Sequence, residues 1–241
     1  MTARGGVLRA VCALAVCGAV AACGARLWRH RPWRTAVAVN GRVLTAGELA
    51  LRAAAFADDA RRVGRPLGAD AARREAARRW IVKEVLLAEA LARGVAASPA
   101  DEKAARAQMA ARLRSRRLTP DAFFREGPLP EAVKRRDFRE GVLVDAFTAR
   151  EVRDRIAPPT AAEVDALLAE MRRASPAATR RQALGALRAA RFRTGFRRLF
   201  RALFATCDVR CPAFPAFASL DGLLARGPAE KEKTEEEKEA R

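Results

Sequence analysis

Four helix starts are spelled out between residues 45 and 163, and they constrain the fold more than any other feature of the chain. Thr45-Ala46-Gly47-Glu48 and Thr160-Ala161-Ala162-Glu163 have capping-box spacing: the Thr hydroxyl accepts from an orphan backbone N–H and the Glu reaches back to the cap residue. Ser98-Pro99-Ala100-Asp101 and Thr119-Pro120-Asp121 put Pro at the first helical position, where its missing N–H costs nothing. Leu118 and Phe123 are spaced as a hydrophobic staple for the second of these. Stops fall where they should, at Val63-Gly64-Arg65-Pro66-Leu67-Gly68, Gly94, Gly127-Pro128-Leu129-Pro130 and Pro158-Pro159. The spacing predicts helices over 46–62, 71–93, 131–156 and 178–205, with shorter ones opening at 99, 120 and 161. Signals this consistent mark an ordered helical domain and not a basic disordered arm.

Composition points the same way. The chain has 57 Ala, and 41 of its 47 basic residues are Arg. Both types are strong helix formers. Tyr is absent and β-branched runs are short, which argues against a β-sandwich or a doubly wound sheet. Two places do read as strand. One is Thr35 to Leu44, with Val37, Val39 and Val43 around an Asn40-Gly41 turn; the other is Cys207 to Cys211. Trp80, Glu84, Leu87 and Leu91 recur at helical spacing, as do Phe138, Val142, Phe147, Val152 and Ile156, and each set predicts a core-facing stripe. In the last long helix Leu184, Leu187, Phe192, Phe196, Leu199, Phe200 and Leu203 fall on one side, with Arg193, Arg197, Arg198 and Arg201 nearer the other. For any single aromatic, Phe124 or Phe147 for example, a place in the core is the expectation.

The first segment reads as an address. Arg4 and Arg9 precede an apolar stretch from Val11 to Ala22 that contains no acid, the pattern of a secretory signal. It is shorter than the roughly 20 apolar residues of a membrane span. Val20-Ala21-Ala22-Cys23 resembles the lipobox of bacterial lipoproteins, which implies removal of residues 1–22 and a lipidated Cys23. The alternative is a plain signal or uncleaved anchor in which Cys23 is a small apolar residue like Cys12 and Cys17. Arg26, Arg29, Arg31 and Arg34 follow at once, and positive charge just beyond an apolar segment tends to stay cytoplasmic.

The order of the remaining pieces resembles the N-terminal chaperone domain of the SurA and PrsA family of exported folding factors. The residues that carry the resemblance are Val37-Ala38-Val39-Asn40-Gly41-Arg42-Val43-Leu44-Thr45, then the helix from Trp80 to Val95, then Phe138 through Ile156 into Thr160-Ala161-Ala162-Glu163-Val164. Together they cover about Ala36 to Met171. Full-length relatives carry a parvulin-type prolyl isomerase domain after this point, followed by a helix and a strand that return to the chaperone domain. Here only Arg172 to Ala178 intervenes, with no parvulin-like residues, and the segment from Ala178 to Cys211 is similar to the returning helix and strand. The resemblance therefore implies an all-α chaperone domain with a minor pairing of two strands, Val209 lying near Val37 and Val39. It implies no isomerase activity, no catalytic residue and no cofactor.

The expected organisation is a lipoprotein-type signal peptide over 1–22, a basic linker over 23–35, the helical domain over 36–211, and a Pro/Phe segment with a disordered charged tail over 212–241. The expected partners are unfolded or nascent envelope and outer-membrane proteins, with the membrane reached through a lipid anchor. The expected location is the periplasm, anchored to a cell-envelope membrane and preferentially to the outer one. Cys207 and Cys211 form a candidate disulfide, but four residues on one strand lie too far apart, so bridging needs a turn there. No metal site is expected: His30 is the only His, and the Cys pair lacks two further ligands.

The formal charge of +19 and a pI near 11.3 keep a rival open, a basic helical nucleic-acid-binding protein using Arg-studded stretches such as Arg188 to Arg201. Against it, Arg is spread over every helix and a secretion signal precedes the domain, so nucleic acid is not an expected partner. Removing 1–22 takes away Arg4 and Arg9 and no acid, so +19 becomes +17 and the charge belongs to the domain. A third reading, an amphipathic membrane-surface helix over Arg193 to Phe204, is compatible with the first.

Overall fold

The computed structural model describes residues 33–114 and 118–224. The expected signal segment, Cys23 with most of the expected basic linker, and the charged tail lie outside the described residues.

Strands β1 (Thr35–Val39) and β2 (Arg42–Thr45) form an antiparallel hairpin. Its two-residue turn has positive φ at both positions, 48° at Asn40 and 82° at Gly41. That combination is why an Asn-Gly pair belongs in such a turn. Strand β3 (Val209–Arg210) joins the other edge of β1, with Val39 opposite Val209 and Ala38 opposite Arg210. The expected tie between the two ends of the domain is present, within a three-stranded sheet ordered β2-β1-β3.

The remainder is helical: α1 (Ala46–Arg62), α2 (Ala69–Ala92), α3 (Pro99–Arg114), α4 (Pro120–Arg125), α5 (Glu131–Glu151), α6 (Ala161–Ala174), α7 (Arg180–Phe204) and α8 (Leu220–Leu224). Each expected cap forms. The hydroxyls of Thr45, Ser98, Thr119 and Thr160 accept from the N–H of Glu48, Asp101, Ala122 and Glu163. The box at Thr45 is only half made, because the Glu48 carboxylate turns instead to Arg52 and Arg136. Thr179 with Gln182 makes a further full box that opens α7.

Helix α2 is the hub. Its buried Ala76, Ala77, Trp80, Ile81, Val85 and Leu86 join Val37 and Val39 of the sheet, Leu49 and Ala53 of α1, Phe147 of α5, and Phe200, Leu203 and Phe204 of α7 in one cluster. Leu91 departs from its predicted stripe and is 56% exposed in the last turn. Along α7, Phe192, Phe196 and Phe200 stack in sequence and Phe204 tilts against Phe200, with centroids 5.8 to 6.1 Å apart. Helix α6 packs on the opening turns of α7 around a separate small cluster of Val164, Leu168, Ala178 and Ala183.

Three expectations change. The helix predicted to reach Ile156 ends at Glu151, and Arg153–Arg155 tighten into a 3-10 turn. Val152 stays buried there because α7 crosses it at Gly195, where an added Cβ would lie 2.9 Å from Val152 Cγ1. The ordered domain also does not stop at Cys211: Phe217 and Leu223 are buried in the main cluster, with Phe214 and Leu220 against it. Finally, Cys207 and Cys211 are both free. The two-residue strand β3 lies between them, and no disulfide joins them. Among the described residues no helix is long and apolar enough to cross a membrane.

Candidate functional site

A groove opens between α1, α3, α4 and α5, and one buried lysine organises it. Helix α4 has six residues, too few to hold itself in place, and its last carbonyls would be orphans. Lys134, in the first turn of α5 and 7% exposed, answers them: its ammonium donates to the carbonyl of Phe123 at 2.8 Å and to that of Glu126. Desolvation pulls the Lys134 pKa down. Phe124, fully buried, meets Phe138 and Phe123 edge-on at 5.8 and 5.9 Å and lies under Arg135. With Phe124 fixed, its neighbour Phe123 is half-buried and lines the groove.

The groove consists of two adjoining cavities of about 330 and 340 Å³. They share Asp59, Met109, Phe123, Asp137 and Phe138. Leu118, Pro128 and Leu129 extend the apolar wall at one end and Leu113 and Val142 at the other. The chemistry on offer is apolar contact with aromatic faces, at a volume suited to one or two large side chains.

Next to this groove lies a charge cluster that fastens its walls together. Asp137 receives hydrogen bonds from Arg52 at 2.6 Å and Lys83 at 2.9 Å, and Glu140 receives them from Lys83 at 2.5 Å and Arg42 at 2.6 Å. Glu48 pairs with Arg52 and Arg136. Glu84, 1% exposed, lies 2.9 Å from Arg42 and 3.1 Å from Lys83, yet neither of its oxygens receives a well-aligned hydrogen bond. Burial therefore pushes its pKa up against those two cations. At Asp137 and Glu140 burial acts in the same direction, but the hydrogen bonds and cations outweigh it and both are held low. The cluster joins β2, α1, α2 and α5 and is structural in character.

Of the residues singled out from sequence, Cys23 lies outside the described residues. Cys207 and Cys211 flank β3: the Cys207 Sγ accepts from Asn40 Nδ2 at 3.4 Å, while Cys211 is buried and its thiol pKa is raised by desolvation. Among the described residues no group of His, Cys, Asp and Glu is placed to hold a metal. Sequence reasoning missed the groove itself. Its one signal was the Leu118–Phe123 staple, and both residues line it.

Uncompensated positive charge concentrates on α7. Among the described residues, Arg181, Arg188, Arg193, Arg197, Arg198 and Arg201 have no carboxylate partner, whereas Arg180 and Arg191 pair with Asp165 and Glu163. Comparison of the chain with protein-family models and with curated proteins returns no match.

Proposed function

We propose that this chain is a holding chaperone that binds unfolded or partly folded envelope proteins without ATP, a relative of the SurA and PrsA family that lacks the isomerase module. The observation that carries the reading is the open, aromatic-lined groove between α1, α3, α4 and α5. Half-buried Phe123, Phe138 and Met109 offer broad contact at small cost in side-chain freedom, which suits sequence-tolerant binding. Two arrangements support the family resemblance: β3 returns to pair with β1, and only Ser175 to Thr179 connect α6 to α7, where relatives carry the isomerase. Export and a lipid anchor on Cys23 belong to the same proposal.

The test is suppression of aggregation of an unfolded outer-membrane-type protein, without ATP, by the chain and by its Met109→Glu/Leu118→Glu variant. The chain should suppress aggregation, and the variant should lose most of that effect while melting at nearly the same temperature. It should not accelerate prolyl isomerisation. Equal suppression by both proteins, or none by either, contradicts the proposal.

A second reading has one observation in its favour. Arg193, Arg197 and Arg201 recur at i, i+4 and i+8 on α7 without carboxylate partners, a positive face available to a polyanion such as nucleic acid. On that reading, Arg193→Ala/Arg197→Ala/Arg201→Ala would abolish a steeply salt-dependent affinity for nucleic acid and leave aggregation suppression untouched.

A further inference from the structure

The wall that α3 gives to the groove rests on two side chains. After Pro99 that helix is Ala and polar or charged residues throughout, except for Met109 and Leu113, which are four apart and so share one face. Leu113 is the one buried residue of the helix. Met109 is half-buried and lines both cavities, in company with Phe123 and Phe138. A thioether suits that place, because its unbranched, polarisable chain adapts to whichever apolar group enters. It is also the one side chain there that a mild oxidant turns from apolar to polar, since among the described residues no Cys, Trp or His lines either cavity. Of the chain's three methionines, Met171 packs against the separate α6–α7 cluster and Met1 lies outside the described residues.

We propose that Met109 is an oxidation site that controls the groove: as the thioether it admits apolar segments, and as the sulfoxide it excludes them. This rests on the reading of the groove as a polypeptide-binding site. The oxidant is a peroxide from the surroundings. The Met109 sulfur lone pair attacks one peroxide oxygen, an S–O bond forms as the O–O bond breaks, and the departing hydroxide takes the proton of the transferred oxygen and leaves as water. Sulfur gives up two electrons and the peroxide is reduced. The new oxygen needs a hydrogen-bond donor, and the side chains of Phe123, Phe138 and Leu113, which line the cavities with it, carry none. An apolar segment seated on that floor would bury the oxygen unpaired, which amounts to about tenfold in affinity or more. A methionine sulfoxide reductase reverses the step.

Isothermal titration of the full chain with a synthetic peptide of Phe, Leu and Ser, free of Met and Cys, tests this before and after hydrogen peroxide. Catalase then removes the oxidant, and a thiol reductant reverses oxidation of the cysteines without touching a sulfoxide. Peptide mass mapping should show one added oxygen on Met109, with affinity down about tenfold and restored by methionine sulfoxide reductase. Each variant is compared with itself: Met171→Leu should show the same drop, and Met109→Leu none. Bound peptide should slow oxidation of Met109 and leave that of Met171 unchanged. Met109 left unmodified while Met171 is oxidised, unchanged affinity once Met109 carries the oxygen, a drop that persists in Met109→Leu, or a drop that comes with loss of the cooperative melt each overturn the oxidation switch while leaving the groove a binding site. No binding by the unoxidised chain, or binding that leaves the rate of Met109 oxidation unchanged, overturns both.

Discussion

Asn40 and Asp208, 168 positions apart, hold each other in a reciprocal pair: the Asn40 N–H donates to the Asp208 carbonyl at 2.9 Å, and the Asn40 side-chain carbonyl accepts from the Asp208 N–H at 2.9 Å. One residue thus makes the hairpin turn and fastens the returning chain to it. The two roles separate by substitution. Asn40→Gly keeps the positive φ and loses the side-chain bond, at a cost of about 1 kcal/mol. Asn40→Ala also places an ordinary residue in the left-handed region and should cost roughly 2–3 kcal/mol. Urea denaturation measures both, and equal losses would mean that the turn geometry contributes nothing.

The two kinds of carboxylate in the charge cluster predict opposite pH dependence. Glu84 has a raised folded pKa, so between its ordinary value and that raised one the folded state binds more protons, and stability falls as pH rises. Glu140 has a depressed folded pKa: its stabilisation is fully present above the ordinary glutamate value and is lost as pH falls through the depressed one. Melts at pH 4 and pH 7 should therefore show Glu84→Gln gaining on the parent as pH rises and Glu140→Gln losing ground. Differences that do not change with pH would contradict this assignment.

Glycines 185 and 195 lie in the same helix and should respond differently. An added Cβ at Gly185 meets nothing within 4 Å, so Gly185→Ala should stabilise by about 0.5–1 kcal/mol through helix propensity alone. At Gly195 the same Cβ meets buried, β-branched Val152 at 2.9 Å, so Gly195→Ala loses that gain and Gly195→Leu should cost about 1–3 kcal/mol. Thermal melts of the three variants check the ordering.

The free thiols should label unequally. Cys207 is partly exposed, whereas Cys211 is buried with a raised thiol pKa, so a thiol reagent applied to the native protein should modify Cys207 first. Peptide mass mapping reads both sites. A peptide spanning the two that lacks two hydrogens would reveal a disulfide and contradict the free pair.

How much of this was legible in the sequence depends on how local each signal is. Thr45, Ser98, Thr119 and Thr160 cap helices because a cap needs only its own next few residues. Asn40-Gly41 is readable for the same reason. The end of α5 is not, because Val152 and Ile156 continue the apolar spacing and the break comes from α7 passing at Gly195. Phe217 and Leu223 were invisible as core because their short segments have no periodicity; only docking on α2 and its partners buries them. The groove was hidden most completely. It is assembled by four helices, and Lys134, the residue that fixes α4, reads in sequence as one more surface cation.

Hydrogen exchange on the full chain, with and without a saturating unfolded client, tests the location of binding most directly. The groove proposal predicts slowed exchange in α4, the first turns of α5 and the facing residues of α3, with α7 unchanged. Protection confined to α7 around Arg193, Arg197 and Arg201, with none at the groove, would contradict it.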